Sequence, residues 1–250
     1  MEKSISRRSY EGAKAAKMMR HAKNMENRFE KKIDEKSSLL KNQERKETLL
    51  IEGKKHHSDL LIKATNVVLY YDGEAICNPV NLEIHQGEKI AISGVNGCGK
   101  STFLKMLGDL NSDNFSYTGE LIKAPNLEYS YVHQDTSSLT GSLRDYAFEV
   151  GADYTRFITI LRKMGFGKDK LEQDISTYSE GQKKIVLIAG SLCCQAHIFI
   201  WDEPMNYIDI YIRESLEELL SSSDITLICV EHDRSFKDKV TTSEYEIFRK

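Results

Sequence analysis

One stretch limits what this chain can fold into more than any other. Lys89-Ile90-Ala91-Ile92-Ser93 runs into Gly94-Val95-Asn96-Gly97-Cys98-Gly99-Lys100-Ser101-Thr102, and Phe103-Leu104-Lys105-Met106-Leu107 follows. The first segment is an apolar β-former run, the second a glycine-rich turn, and the third carries a helical pattern. Gly94, Gly99, Lys100 and Ser101 satisfy the phosphate-cradling spacing G-x-x-x-x-G-K-[ST]. The chemistry asks for these residue types. Glycines let the backbone adopt positive φ and bring its N–H groups to phosphate oxygens. The helix that follows points its positive end at the same anion. Lys100 can reach the β/γ-phosphates, and the Ser101 hydroxyl can ligate Mg²⁺.

The 250 residues leave room for one large domain or two small ones, and an apolar content of 40% is enough for a buried core. No apolar run approaches a membrane span, and the N-terminus lacks a signal-peptide segment. Cys77, Cys98, Cys193, Cys194 and Cys229 form no C-x-x-C and have no metal-ligand spacing with histidine. They read as reduced thiols, so a cytoplasmic protein is expected. The net charge of −3 hides an asymmetry: residues 1–58 carry +7 and the remainder −10. A basic arm on an acidic domain points to an anionic partner for the arm, against the simpler reading of a solvated helical face.

Residues 11–50 contain no proline and are dense in Ala, Lys, Glu, Met and Leu. Ala15, Met18, Ala22, Met25 and Phe29 recur every three or four residues, as in a coiled-coil seam. A long helix in need of a partner is expected there, then a short linker over Gly53 to Ser58. Strands are expected at Leu60–Tyr71, Val80–His85, Tyr117–Ile122, Leu127–Val132, Ile198–Trp201 and Ile225–Val230. Helices are expected over Ser142–Gly165, in one or two pieces, and over Gln182–Gln195 and Ile208–Leu220. Asn111 to Asn114 reads as a loop. This alternation implies an α/β layered domain over residues 59–250, preceded by the helical arm of residues 1–58.

Four further features follow the glycine loop in order. They are Gln134 just past a strand, Tyr178-Ser179-Glu180-Gly181-Gln182 opening a helix, Ile198-Phe199-Ile200-Trp201-Asp202-Glu203-Pro204, and Cys229-Val230-Glu231-His232-Asp233. Over residues 60–245 this order and spacing resemble the nucleotide-binding domain of the ABC ATPase superfamily. The resemblance implies an ABC-type P-loop domain with a mixed-sheet core, an antiparallel β subdomain and a helical signature subdomain. It also implies ATP and Mg²⁺ as cofactors. The nucleotide would lie on Gly94, Asn96, Gly97, Cys98, Gly99, Lys100, Ser101 and Thr102. Tyr71 lies where the family stacks an aromatic on adenine, with Tyr70 as the fallback. Asp202 takes the place of the Mg²⁺-holding carboxylate, beside Ser101 and Gln134. Glu203 takes that of the general base, Gln134 contacts metal and water, and His232 bonds the γ-phosphate. Ser179, Glu180, Gly181 and Gln182 match the signature segment, which closes over a nucleotide held by a second domain. A single such chain therefore carries two half-sites and has to pair.

Two details narrow the resemblance. Met205-Asn206-Tyr207-Ile208-Asp209 is similar to the T-N-H-L-D of the ABC-F branch, and His232-Asp233-Arg234-Ser235-Phe236 to its H-D-R-x-F. Gly12-Ala13-Lys14-Ala15-Ala16-Lys17-Met18-Met19 and the Tyr178–Gln182 segment resemble antibiotic-resistance ABC-F proteins of the Lsa type. Residues 1–58 then resemble the second helix of the linker that reaches ribosomal RNA and P-site tRNA. The chain would be a C-terminal half, pairing with itself or with an N-terminal half. Ile185 and Gly190 depart from the pattern, standing where basic residues are common. The alternatives are the ATPase subunit of an ABC transporter and a non-hydrolysing ribosome-binding module.

Overall fold

The computed structural model describes residues 51–110 and 115–250. The helical arm with its seam and the loop at Asn111–Asn114 lie outside the described residues.

Two sheets follow from two kinds of sequence pattern. In the antiparallel sheet, β1 (Leu60–Tyr71) has β5 (Phe115–Lys123) along one side. Its other side is shared by β3 (Val80–His85) and the short β2 (Glu74–Ala75). β1 and β3 mix buried and exposed positions, and β5 is exposed or half-buried throughout, as a sheet with one wet face allows. The second sheet has the order β6 (Tyr129–Val132), β7 (Ile198–Asp202), β8 (Leu227–Val230), β4 (Lys89–Ser93), β9 (Ser243–Glu246), and every pairing is parallel. Every residue of β7 and β8 is buried. That is why their sequences are unbroken apolar runs rather than alternating ones.

The helices are α1 (Lys100–Leu107), α2 (Leu143–Glu149), α3 (Tyr154–Lys163), α4 (Lys168–Leu171), α5 (Glu180–Cys193), α6 (Ile210–Ser221) and α7 (Arg234–Val240). The helical stretch expected over 142–165 divides because Asp153 starts a new helix, its side chain accepting from the Arg156 N–H. Likewise α6 begins two residues later than expected, at the Asp209 cap. Gly190, which weakens α5 by about 1 kcal/mol relative to alanine, sits under the Tyr146 ring. A Cβ there would lie 2.8 Å from the ring.

The stretch expected as a linker, Gly53 to Ser58, is tied to the domain. The Gly53 N–H donates to the Asp224 carbonyl at 3.1 Å and the Lys54 N–H to the Ala196 carbonyl at 2.8 Å. Ile51 is buried. Among the described residues no helix is long and apolar enough to cross a membrane.

Because β4, β7 and β8 are parallel and in register, Gly94, Glu203 and Glu231 leave the sheet at the same edge. Ligands of open α/β sheets bind outside such carboxyl ends.

Candidate active site

The glycine loop joins β4 to α1, and its shape is forced. Gly94, Gly97 and Gly99 have φ of +141°, +79° and +95°. A Cβ on Gly94 would lie 2.3 Å from the Ile247 carbonyl oxygen and 2.8 Å from Cys98 Sγ. A Cβ on Gly99 would lie 2.9 Å from Ile76 and 3.2 Å from Leu69, both of the antiparallel layer. Cys98 is buried and its N–H donates to the Val95 carbonyl, so its side chain shapes the loop from beneath. The Lys100 ammonium is buried and donates to the carbonyls of Gly94 (2.9 Å) and Val95 (3.2 Å). Asn96, Gly97, Gly99, Lys100, Ser101 and Thr102 line a cleft together with Tyr71, Ile76, Gln134 and Glu203. Tyr71 is 46% exposed there, a face open for stacking. Tyr70 is not part of this lining.

The two carboxylates at the end of β7 differ sharply. Asp202 is buried, and burial pushes its carboxyl above the usual range. Glu203 adds to that rise, while a hydrogen bond with Ser101 and the Lys184 and Lys105 charges oppose it. Its Oδ1 has no hydrogen-bond partner. A buried carboxylate oxygen without a donor is costly unless a cation meets it. Ser101 stands beside it, so an oxygen-preferring divalent ion fits the residues present. No cluster of three or more His, Cys, Asp or Glu among the described residues builds a metal cage.

Glu203 is half-buried and has φ +48°. A non-glycine residue in this region costs of order 1–3 kcal/mol and is retained where the surroundings dictate it. Here its N–H is fixed to the Val230 carbonyl at 3.0 Å. Its Oε2 accepts from Gln134 Nε2 at 2.8 Å and from Asn206 Nδ2 at 2.5 Å. The sheet thus brings Gln134, Asp202 and Glu203 to the loop. A second cleft, which shares Ser101 and Gln134, is lined also by Tyr131, Thr136, Glu180 and Asp202. His232 lies just beyond β8, exposed, and lines neither cleft.

The signature segment sits at the start of α5. Ser179 Oγ accepts from the Gln182 N–H at 3.3 Å, and Gln182 Oε1 accepts from the Ser179 N–H at 3.1 Å, a complete capping box. Ser179 and Glu180 are exposed. Glu180 accepts a hydrogen bond from Thr136, two residues past Gln134, and pairs with Lys183 at 3.6 Å. Gly181 is dictated by packing, since a Cβ would lie 2.2 Å from the Tyr207 carbonyl oxygen.

Two charged residues that sequence reasoning left without a role are buried here. Lys184 Nζ donates to the carbonyls of His133, Gln134 and Asp202. Burial pushes its ammonium down from the usual lysine range. Glu231 accepts from the backbone N–H groups of Met205, His232 and Asp233, joining the ends of β7 and β8. A lysine pair and an acid–histidine–acid run look solvated in a sequence. Only helix phase, for Lys184, and the adjacent buried strand, for Glu231, hint otherwise.

Comparison with known proteins is consistent with this geometry. The family model described as "ABC transporter" matches residues 77–206. The chain is 30% identical to ABC transporter F family member 2 of Arabidopsis thaliana over 75% of its own length and 28% of that protein. It is 32% identical to the mRNA export factor elf1 of Schizosaccharomyces pombe over 71% of its length and 17% of that protein. With the ATP-binding protein Uup of Caulobacter vibrioides it shares 28% identity over 78% and 33%. The chain thus spans about a third or less of the length of the curated relatives it matches. Among solved structures, the dimeric MJ0796, a bacterial ABC transporter cassette, superposes with a TM-score of 0.62 at 25% identity, covering 75% of this chain and 94% of that one.

Proposed function

The chain belongs to the ABC transporter family and carries its ATP-binding domain, and from that premise we propose that it is a Mg²⁺-dependent ATPase that acts on the ribosome when paired with a second such domain. The observation that carries the ATPase reading is the Glu203 carboxylate, oriented by Gln134 and Asn206, beside the unpartnered Asp202 oxygen at the phosphate loop.

In this reading Lys100 and the loop N–H groups bind the phosphates, and Tyr71 stacks on the base. Ser101, Asp202 and Gln134 hold Mg²⁺, which when bound neutralises charge on the β- and γ-phosphates. Glu203 takes the proton of the attacking water, and Gln134 fixes the direction in which Glu203 points. His232, exposed just beyond β8, would bond the γ-phosphate. Ser179 and Glu180, which are exposed, with Gly181 and Gln182 behind them, serve a nucleotide on another domain, which is why pairing is required. MJ0796 is described as dimeric.

The ribosome reading rests on the arm. The +7 charge of residues 1–58 stands against −10 on the domain, and RNA phosphates attract such an arm through counterion release. Relatives include an F-family ABC protein, and the Lsa-like segments favour ribosomal protection against antibiotics by a C-terminal half. The test is sedimentation with ribosomes across a salt series, with and without a non-hydrolysable ATP analogue. The full chain should bind ribosomes with ATP, progressively less as salt rises, and the chain lacking residues 1–50 should bind ATP alone. Full ribosome binding by the shortened chain would overturn the arm's role. Co-sedimentation with membranes instead would favour a transporter subunit.

A further inference from the structure

Lys184 is 2% exposed, and a buried ammonium needs all three of its donors placed. Here they go to carbonyls on two separate segments: His133 at 2.8 Å and Gln134 at 3.4 Å just past β6, and Asp202 at 3.2 Å at the end of β7. The lysine itself belongs to the first turns of α5, the helix that the signature segment opens. Asp202, Glu203 and Glu231 put their carboxylates around it. One cation thus joins three parts of the site that are far apart in sequence. Each carbonyl is the backbone of a residue at, or next to, a group that would face metal and attacking water.

We propose that Lys184 is a positioning residue for the metal and water half of the nucleotide site, holding the Gln134 segment and the Asp202–Glu203 strand end at fixed separation from the signature helix. The inference rests on the nucleotide-site reading given above. The alternative is a plug that satisfies three carbonyls and supports the fold without affecting the metal in particular. The two differ in what they do to metal-dependent binding. Removing the ammonium frees the strand ends to shift, which loosens the relation of Asp202 to Ser101 and of Gln134 to Glu203. It leaves the loop N–H groups and Tyr71, which hold phosphate and base, untouched.

The experiment uses the full chain, Mn²⁺ as the spectroscopic probe, and Lys184→Met with Lys184→Arg as its conservative rescue. ATP affinity is measured without metal and with Mn²⁺, and Mn²⁺ bound with ATP is followed by electron paramagnetic resonance. Circular dichroism and melting temperature serve as controls for the fold. Lys184→Met should leave metal-free ATP affinity unchanged and reduce the Mn²⁺-dependent gain about tenfold, the scale of lost outer-sphere support. Where turnover is measurable, kcat should fall with KM nearly constant. Lys184→Arg should recover most of both. If Lys184→Met does not fold, Lys184→Gln, which keeps one donor, replaces it and should show the same metal-selective loss. Equal loss of affinity with and without Mn²⁺, or no loss in a folded variant, overturns the proposal. Failure of the unsubstituted chain to bind ATP at all would instead overturn the nucleotide site, and this inference with it.

Discussion

Two helix starts in this molecule can be set side by side. The first, at α1, follows Gly99 and has no side-chain cap and no acidic residue in its first turn. The second, at α5, has a complete capping box and Glu180 in its first turn. Both would face a nucleotide phosphate in the reading above. At α1 the unpaired N–H groups are left over by the fold, enclosed by the glycine loop, and next to a buried carboxylate oxygen that also lacks a partner. At α5 the chain caps its own first turn, with Ser179 and Glu180 exposed and Gly181 packed against Tyr207. The first is a site whose needs are met only by a ligand. The second is capped by the chain itself and, in the proposed reading, acquires chemistry only against another molecule.

Four experiments break or sharpen this contrast. The largest effect belongs to the α1 side. Glu203→Gln keeps the shape and removes the base, so turnover should fall on the order of 10²-fold or more while ATP binding survives. Radiolabelled ATP hydrolysis and equilibrium dialysis check this, and unchanged turnover would remove Glu203 from the base position. On the α5 side, Ser179→Arg should lower turnover about tenfold or more without weakening ATP binding to a single chain. Specific activity of the unsubstituted chain should meanwhile rise with protein concentration. A concentration-independent rate from a chain shown monomeric by light scattering would erase the distinction between the two helix starts. Smaller is the structural cost of the cap alone. Ser179→Ala should lose about 1 kcal/mol and lower the melting temperature by about 2–4 °C, with ATP affinity intact. Smallest is an optical signal. Trp201 is fully buried and its Nε1 donates at 3.0 Å to Ser191 on α5. Mg-ATP should change its emission slightly, and Lys100→Ala should abolish the change. A signal indifferent to nucleotide would mean that events at α1 do not reach α5.

The same contrast governs what could be read from sequence. The loop, β4, β7 and β8 were legible because burial on both faces demands apolar runs and because positive φ demands glycine. The position of Asp202 and Glu203 at the end of a buried strand was legible from the apolar run before them, whereas their roles came only from the resemblance. Asn206 was visible only as part of a resemblance, since its bond to Glu203 depends on a turn that no periodicity reveals. Lys184 and Glu231 were illegible because a buried charge and a solvated one are spelled alike. Their partners are mostly backbone groups distant in sequence. Gly53 to Ser58 looked like a linker because its composition is polar, yet backbone bonds to Ala196 and Asp224 carry no compositional mark.

Gly99 has one more consequence. It is the point where the phosphate loop lies against Ile76 and Leu69, so the antiparallel and parallel layers meet at a residue with no side chain. A layered protein melts in one step only while its layers grip each other. Here part of that grip passes through a loop whose shape a bound nucleotide would stiffen. One continuous apolar core shared by both layers carries the rest of that grip, so at this one point of the seam a bound nucleotide would act as a stitch and bulk at Gly99 as a wedge.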